Sequence, residues 1–377
     1  MNFINVYYPT WIDSVDLQSI PEYIDYVTLA FIRTNPGNIE NDSKMNEFFY
    51  NGNISVFTLK EEIDRCRKSG ITRTILASVG GEIAGNFEDI NFENIAKGIE
   101  LLDLDGIDID YEPNGVMAES EGEVKKYIEL IIGFRRVFDK IEARTGKKLI
   151  ITCAPTGIGL LKKEKFNELK KIYGEVKDKL STLIPQIEQE EELNWGTLKD
   201  SNILKQNEYR VGTVGSCFNF NSAGKMTDVF LCENYDKELI KYKFIGQMVD
   251  IVFYQAYNMG SGNTLGKIIC YESHRHLSDF FNSVTEGSGF KIGHGSHIGR
   301  EAWPHYSYTK KRLSYIYSYI NKYGRSCDGA SFWSYKSSYI DETENVPNYG
   351  MEYTSTEGVF KHISTIFRGE NENKKHK

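Results

Sequence analysis

The sequence predicts an α/β chain folded as one (β/α)8 TIM barrel, with a large insertion between its fifth and sixth strands. Three observations lead there. Short apolar runs recur with helix-patterned segments between them, the order expected of a parallel sheet. A length of 377 residues, 40% of them hydrophobic, covers the roughly 250 residues of such a barrel plus an insertion. One strand also carries acids at alternate positions and ends at a turn, where barrel enzymes hold their catalytic groups.

The strands are read in order. The first runs Phe3 to Tyr8, the second Tyr26 to Phe31, and the third Thr74 to Val79, ending at Gly80-Gly81. A helix follows, with Phe92, Ile95, Ile99 and Leu102 at spacings of three and four. It delivers the chain into the acidic fourth strand. The next helix shows Val124, Tyr127, Ile128, Ile131, Phe134, Phe138 and Ile141 on one face, with Gly146 placed to stop it. The fifth strand is Leu149 to Cys153, closed by Ala154-Pro155. The sixth is Ile251 to Asn258, the seventh Phe290 to Gly293 and the eighth Gly329 to Ser334. A closing helix from about Glu357 to Phe367 completes a catalytic barrel over 1–367, and the polar tail 368–377 is expected to be disordered.

Nearly a hundred residues separate the fifth and sixth strands, far more than a crossover needs. Within them Lys162 to Leu180 reads as an amphipathic helix with Leu169, Ile172 and Val176 on one side. Glu188 to Glu192 is an acidic run, and Tyr209 to Phe230 is strand-like. Residues 157–244 are read as an inserted subdomain at the rim of the catalytic loops, with room for a protein partner; the alternative is a solvated decoration that never meets substrate.

Composition narrows the function. A net charge of −8 without a basic stripe argues against binding nucleic acid or an anionic membrane. No stretch is long and apolar enough to span a membrane. Met1 leads straight into a strand, so no secretion leader is expected. The six cysteines are scattered without a CxxC, which favours reduced thiols. The 24 Tyr and 21 Phe serve the core, and aromatic faces also stack on sugar rings.

The chemistry is concentrated in Asp105-Gly-Ile-Asp108-Ile-Asp110-Tyr-Glu112. Alternate side chains of a strand share a face, so Asp108, Asp110 and Glu112 point one way at steps of about 7 Å. Ile107, Ile109 and Tyr111 pack on the other side. Three acids this close cannot all ionise cheaply, so their titrations are coupled and one proton stays in the row. Asp105 has the wrong parity for that face and is given a structural role at the turn into the strand. An ordinary strand with one solvated acidic face is the bland reading of the same alternation.

The pattern D-x-x-D-x-D-x-E resembles the signature of glycoside hydrolase family 18, the chitinases and chitinase-like proteins. The resemblance implies retaining, substrate-assisted hydrolysis, an exception to the usual two-carboxylate scheme. Glu112 matches the general acid, Asp110 the residue that orients the substrate's 2-acetamido group, and Asp108 its proton-sharing partner. A conventional pair with Asp110 as nucleophile fails, because acids one pleat apart approach the sugar from the same side. Ser78-Val79-Gly80-Gly81 is similar to the family's S-x-G-G motif, with Ser78 within reach of the acids. Gln255-Ala-Tyr257-Asn258 resembles the sixth-strand motif, with the Tyr257 hydroxyl on the acetamido group. Trp333 matches the tryptophan flooring the sugar site. Tyr7 and Phe31 correspond to inward positions on the first two strands. Taken singly, Ser78 to Gly81 reads as an ordinary strand-to-loop turn, and Tyr257 and Trp333 read as core. Trp11 and Trp303 are candidate stacking platforms.

The resemblance implies no metal or cofactor, and chitin or an N-acetylglucosamine-containing oligosaccharide as ligand, met outside the cell. Two alternatives stay open: an endo-β-N-acetylglucosaminidase acting on N-glycan cores, and a catalytically silent lectin or toxin-complex component. Two decoys are set aside. Gly260 to Lys267 resembles a phosphate loop but has Ser261 for its first glycine and Ile268 for its metal-binding hydroxyl, and reads as a flexible loop. His274, His276, His294 and His297 match no zinc spacing and read as loop histidines.

Overall fold

Eight parallel strands close into a barrel in sequential order: β1 (Phe3–Pro9), β2 (Tyr26–Ile32), β3 (Thr74–Gly80), β4 (Gly106–Asp110), β5 (Ile150–Cys153), β6 (Ile251–Val252), β7 (Lys291–His297) and β8 (Gly329–Trp333). The structure is a computed structural model. It describes residues 1–11, 16–37, 48–50, 56–70, 73–81, 87–113, 121–160, 166–183, 224–257, 264–284, 289–298, 310–335 and 356–369. The helices are α1 (Val56–Lys68), α2 (Phe92–Leu101), α3 (Glu121–Thr145), α4 (Phe166–Leu183), α5 (Lys225–Phe230), α6 (Thr264–Val284), α7 (Lys310–Tyr323) and α8 (Thr356–Arg368). The strands are almost wholly buried, as parallel strands covered on both faces must be.

Local chemistry sets the element ends. Asn91 caps α2, its side-chain oxygen accepting from the Asn94 N–H at 3.0 Å. Glu121 and Glu123 sit in the first turn of α3 and Arg144 in its last, each favourable to the helix dipole. Gly146 ends α3 at φ +75°, its N–H donating to the Glu142 carbonyl at 2.8 Å. Tyr127, Ile131, Phe134 and Phe138 form the buried face.

The described residues fall into two compact units. One comprises Asn5–Ala154 and Val229–Val252; the other comprises Met1–Ile4, Pro155–Asp228 and Phe253–Lys377. The segment 157–244 is thus shared between them. Ile172, Val176 and Leu180 of α4 are buried. Residues 184–223 and 370–377 lie outside the described residues, and with them the acidic run and most of the polar tail.

Four expectations are corrected. Lys225–Phe230, expected to be strand-like, is the helix α5, which buries Met226, Val229 and Phe230. The sixth strand is only two residues long, Ile251–Val252. The fifth strand ends before Pro155, which has no N–H to extend a ladder; Gln255 instead makes single bridges to Thr156 and Gly295. Thr264 to Lys267, expected in a flexible loop, begin α6 and are buried. The histidines are not loop residues either. His274 and His276 lie on α6, while His294 and His297 lie on β7, which continues four residues past Gly293. Two glycines at 293 and 295 obscure that strand's alternation.

Candidate active site

The acid row is mounted from behind. The side chains of Ile107 and Ile109 are fully buried on the outer face of β4. Tyr111 stacks on Tyr127 of α3 at 5.5 Å and meets Phe87 edge-on at 4.9 Å. The Tyr127 hydroxyl donates to the Ile109 carbonyl at 3.2 Å. With that face clamped, period-two alternation turns Asp108 and Asp110 the other way.

Asp108 is fully buried and accepts three hydroxyl hydrogen bonds. Ser78 donates to Oδ2 at 2.7 Å, Tyr7 to Oδ2 at 3.0 Å and Thr152 to Oδ1 at 2.6 Å. Strand register brings two of these together, because Ser78 and Thr152 are the neighbours of Asp108 on β3 and β5. Hydrogen bonds to a charged acceptor contribute about 1.5–3 kcal/mol each, against a desolvation cost of several kcal/mol for a buried ion. Burial retains the edge and raises the Asp108 pKa, with the hydroxyls of Thr152, Ser78 and Tyr7 pulling it back. Asp110, the last strand residue, is buried, and Glu112 lies two residues beyond it, partly exposed.

Gly80 and Gly81 allow β3 to close over this strand end. Gly80 adopts φ +128°, and a Cβ there would lie 1.8 Å from the Asp110 carbonyl oxygen. Gly81, at φ +73°, donates its N–H to that carbonyl at 2.7 Å, and its own Cβ would strike the Phe31 ring at 2.6 Å. Phe31 is buried and stacks on Trp11 at 6.2 Å. Asp105 faces away from the row. Its carboxylate accepts from the Ile75 N–H at 2.8 Å and from Arg67 at 2.6 Å, tying the start of β4 to β3 and α1.

The other candidates belong to the second unit. Gln255, Tyr257 and Trp333 are half-buried. Tyr257 meets His297 edge-on at 5.6 Å, and His297 is the register neighbour of Trp333. Burial pushes the His297 imidazole down to about 4, so it is neutral at pH 7. Asn258 and Trp303 lie outside the described residues.

Two polar residues were missed from sequence. Thr152 is the one polar residue within the strand Ile150–Cys153 that faces Asp108, a signal available in its strand parity. His297 was discarded with the loop histidines. Among the described residues, no group of His, Cys, Asp and Glu is arranged to hold a metal ion.

Comparison with known proteins finds one family model, over the first part of the chain. Residues 4–178 match the model for Glycosyl hydrolases family 18. A chitinase-like agglutinin from Robinia pseudoacacia superposes with a TM-score of 0.51 at 10% identity, covering 96% of this chain and 99% of that one, a likeness of fold. A GH18 chitinase from Pseudoalteromonas aurantia gives 0.48 at 16% identity, covering 88% and 94%. A family 18 N-acetylglucosaminidase from Paenibacillus barengoltzii gives 0.31 at 20% identity; the match covers 41% of this chain and 45% of that protein's length. No curated protein matches the chain. The D-x-x-D-x-D-x-E strand lies inside the matched segment, so it is residues 4–178 that resemble glycosyl hydrolase family 18.

Proposed function

We propose that this protein is a glycosidase that cleaves β-1,4 linkages between N-acetylglucosamine units, in chitin or its oligosaccharides, with retention. The observation that carries the reading is the enclosure of Asp108, a fully buried carboxyl held by three hydroxyls one pleat behind Asp110. A fold accepts a second acid beside such a group when the pair stores a proton for chemistry.

In the proposed reaction the Glu112 carboxylic acid protonates the glycosidic oxygen as the bond to the anomeric carbon breaks. The substrate's 2-acetamido oxygen attacks that carbon from the opposite face, giving a cyclic oxazolinium. Asp110 accepts the acetamide N–H and balances the positive charge that develops, while Asp108 holds the proton the pair shares. The Glu112 carboxylate then takes a proton from water, which opens the oxazolinium and restores both the acetamide and the acid. The family motif gives Tyr257 the acetamido oxygen and Trp333 the acetamide methyl. Gln255, Asn258, Tyr7 and Phe31 are assigned to sugar binding on the same basis.

The test is turnover of an N-acetylglucosamine tetramer. Glu112→Gln is expected to lower kcat at least a thousand-fold while sugar binding is kept. Tetramer binding by the parent chain without any turnover would replace the enzyme with a lectin. Cleavage of an N-glycan core but not of the tetramer would move the substrate to glycoproteins.

A further inference from the structure

A groove of about 820 Å³ runs between the start of α2 and the middle of α3. Its lip carries Tyr235, 59% exposed. Keeping a large ring in water costs burial energy, yet the loop beneath it is firmly built. The Asn234 side chain donates to the Leu239 and Tyr242 carbonyls at 2.8 and 3.0 Å and accepts the Asp236 N–H at 2.9 Å. The Asp236 side chain is buried and pairs with Arg136 of α3. Tyr235 is therefore held out on both sides by pinned neighbours.

The floor is equally deliberate. Phe92 presses onto α3 where Gly133 leaves room, since a Cβ there would lie 2.3 Å from the ring. The Asn94 side chain donates to the Pro36 carbonyl at 3.0 Å, beside Asn35 of the lining. Burial and then the Glu129 charge raise the Tyr235 phenol, so carboxylate and ring share the groove. Glu88, Asp89, Glu93 and Glu129 outnumber Arg136 and Lys140 along the lining, and Arg136 is already neutralised by Asp236. An anion is disfavoured there. A ligand with an apolar face for the ring and hydroxyls for the carboxylates fits, and a neutral pyranose chain has both. The groove also adjoins the active strand: Phe87, next to Glu88, packs on Tyr111, the neighbour of Glu112.

We propose that this groove is a second saccharide site, in which Tyr235 stacks on a pyranose ring and Glu129 and Glu93 accept its hydroxyls. It rests on the function proposed above for the identity of the sugar, and it serves to hold a polymer while the acid row works on it. The experiment is depletion binding to insoluble chitin by the full chain in a Glu112→Gln background, with Tyr235→Ala and Tyr235→Phe added, alongside tetramer turnover by Tyr235→Ala in the active chain. The Ala change is expected to weaken chitin binding at least five-fold and the Phe change less than two-fold, with tetramer kcat/KM within two-fold of the parent. Chitin binding unaltered by Tyr235→Ala, or no chitin binding by the parent, overturns the site. A labelled oligolysine that binds through Tyr235 while chitin does not gives the groove to a cationic chain and overturns it as well. Tyr235-dependent chitin binding without tetramer turnover would defeat the catalytic reading and keep the groove; the converse result would do the reverse.

Discussion

At the residue scale, the Thr152 hydroxyl is placed to tune the proposed proton store. Its bond to Asp108 Oδ1, at 2.6 Å, favours the charged carboxylate, so removing it disfavours that charge and raises the proton affinity of the Asp108–Asp110 pair. In the proposed mechanism the working form holds one proton in the pair, and a second proton silences it. Thr152→Val is therefore expected to move the acidic limb of the kcat–pH profile upward by about one unit and to lower kcat about ten-fold, with KM little changed. Thr152→Ser should restore the parent profile. An unchanged limb would reduce Thr152 to a packing residue.

At the scale of elements, β7 and α6 enclose histidines that the proposed reaction does not use. His274 of α6 is fully buried, stacks on Tyr254 at 4.2 Å and hydrogen-bonds the Cys270 carbonyl through Nδ1 at 2.7 Å. His294 of β7 is fully buried beside the Tyr254 hydroxyl and feels the charge of Lys267. Burial depresses the His274 imidazole to about 4, well below its ordinary 6.5. Between those values the unfolded chain takes up a proton that the folded chain refuses. Stability is therefore complete above about pH 6.5 and is lost as pH falls towards 4, by about 3 kcal/mol for this residue. His274→Phe keeps the stack and removes the titration, so its urea midpoint should fall less between pH 6.5 and 4 than the parent's. Parallel pH curves for the two proteins would refute this.

The chain as a whole carries −8 at pH 7, while the proposed substrate is neutral. Long-range steering therefore contributes little to encounter, in contrast to a nuclease of similar size. KM for the tetramer is expected to change less than two-fold between 50 and 500 mM salt. A steep salt dependence would point to a charged ligand and away from chitin.

The strands β1 to β5, the helices α2 and α3 and the Asp108–Glu112 row were legible because period-two and 3.6-residue patterns are local properties of a chain. Gly146 announced a helix end for the same reason. What the tertiary structure alone decided is that Tyr7 and Thr152 join Ser78 on Asp108. Tyr7, Ser78 and Thr152 stand 101, 30 and 44 residues away, and strand register joins them. Register likewise sets His297 beside Trp333 and turns Gly295 into a strand residue. The two carboxyls were written in the sequence; their protonation was not, because burial and hydrogen bonds from distant strands determine a buried acid's affinity for its proton.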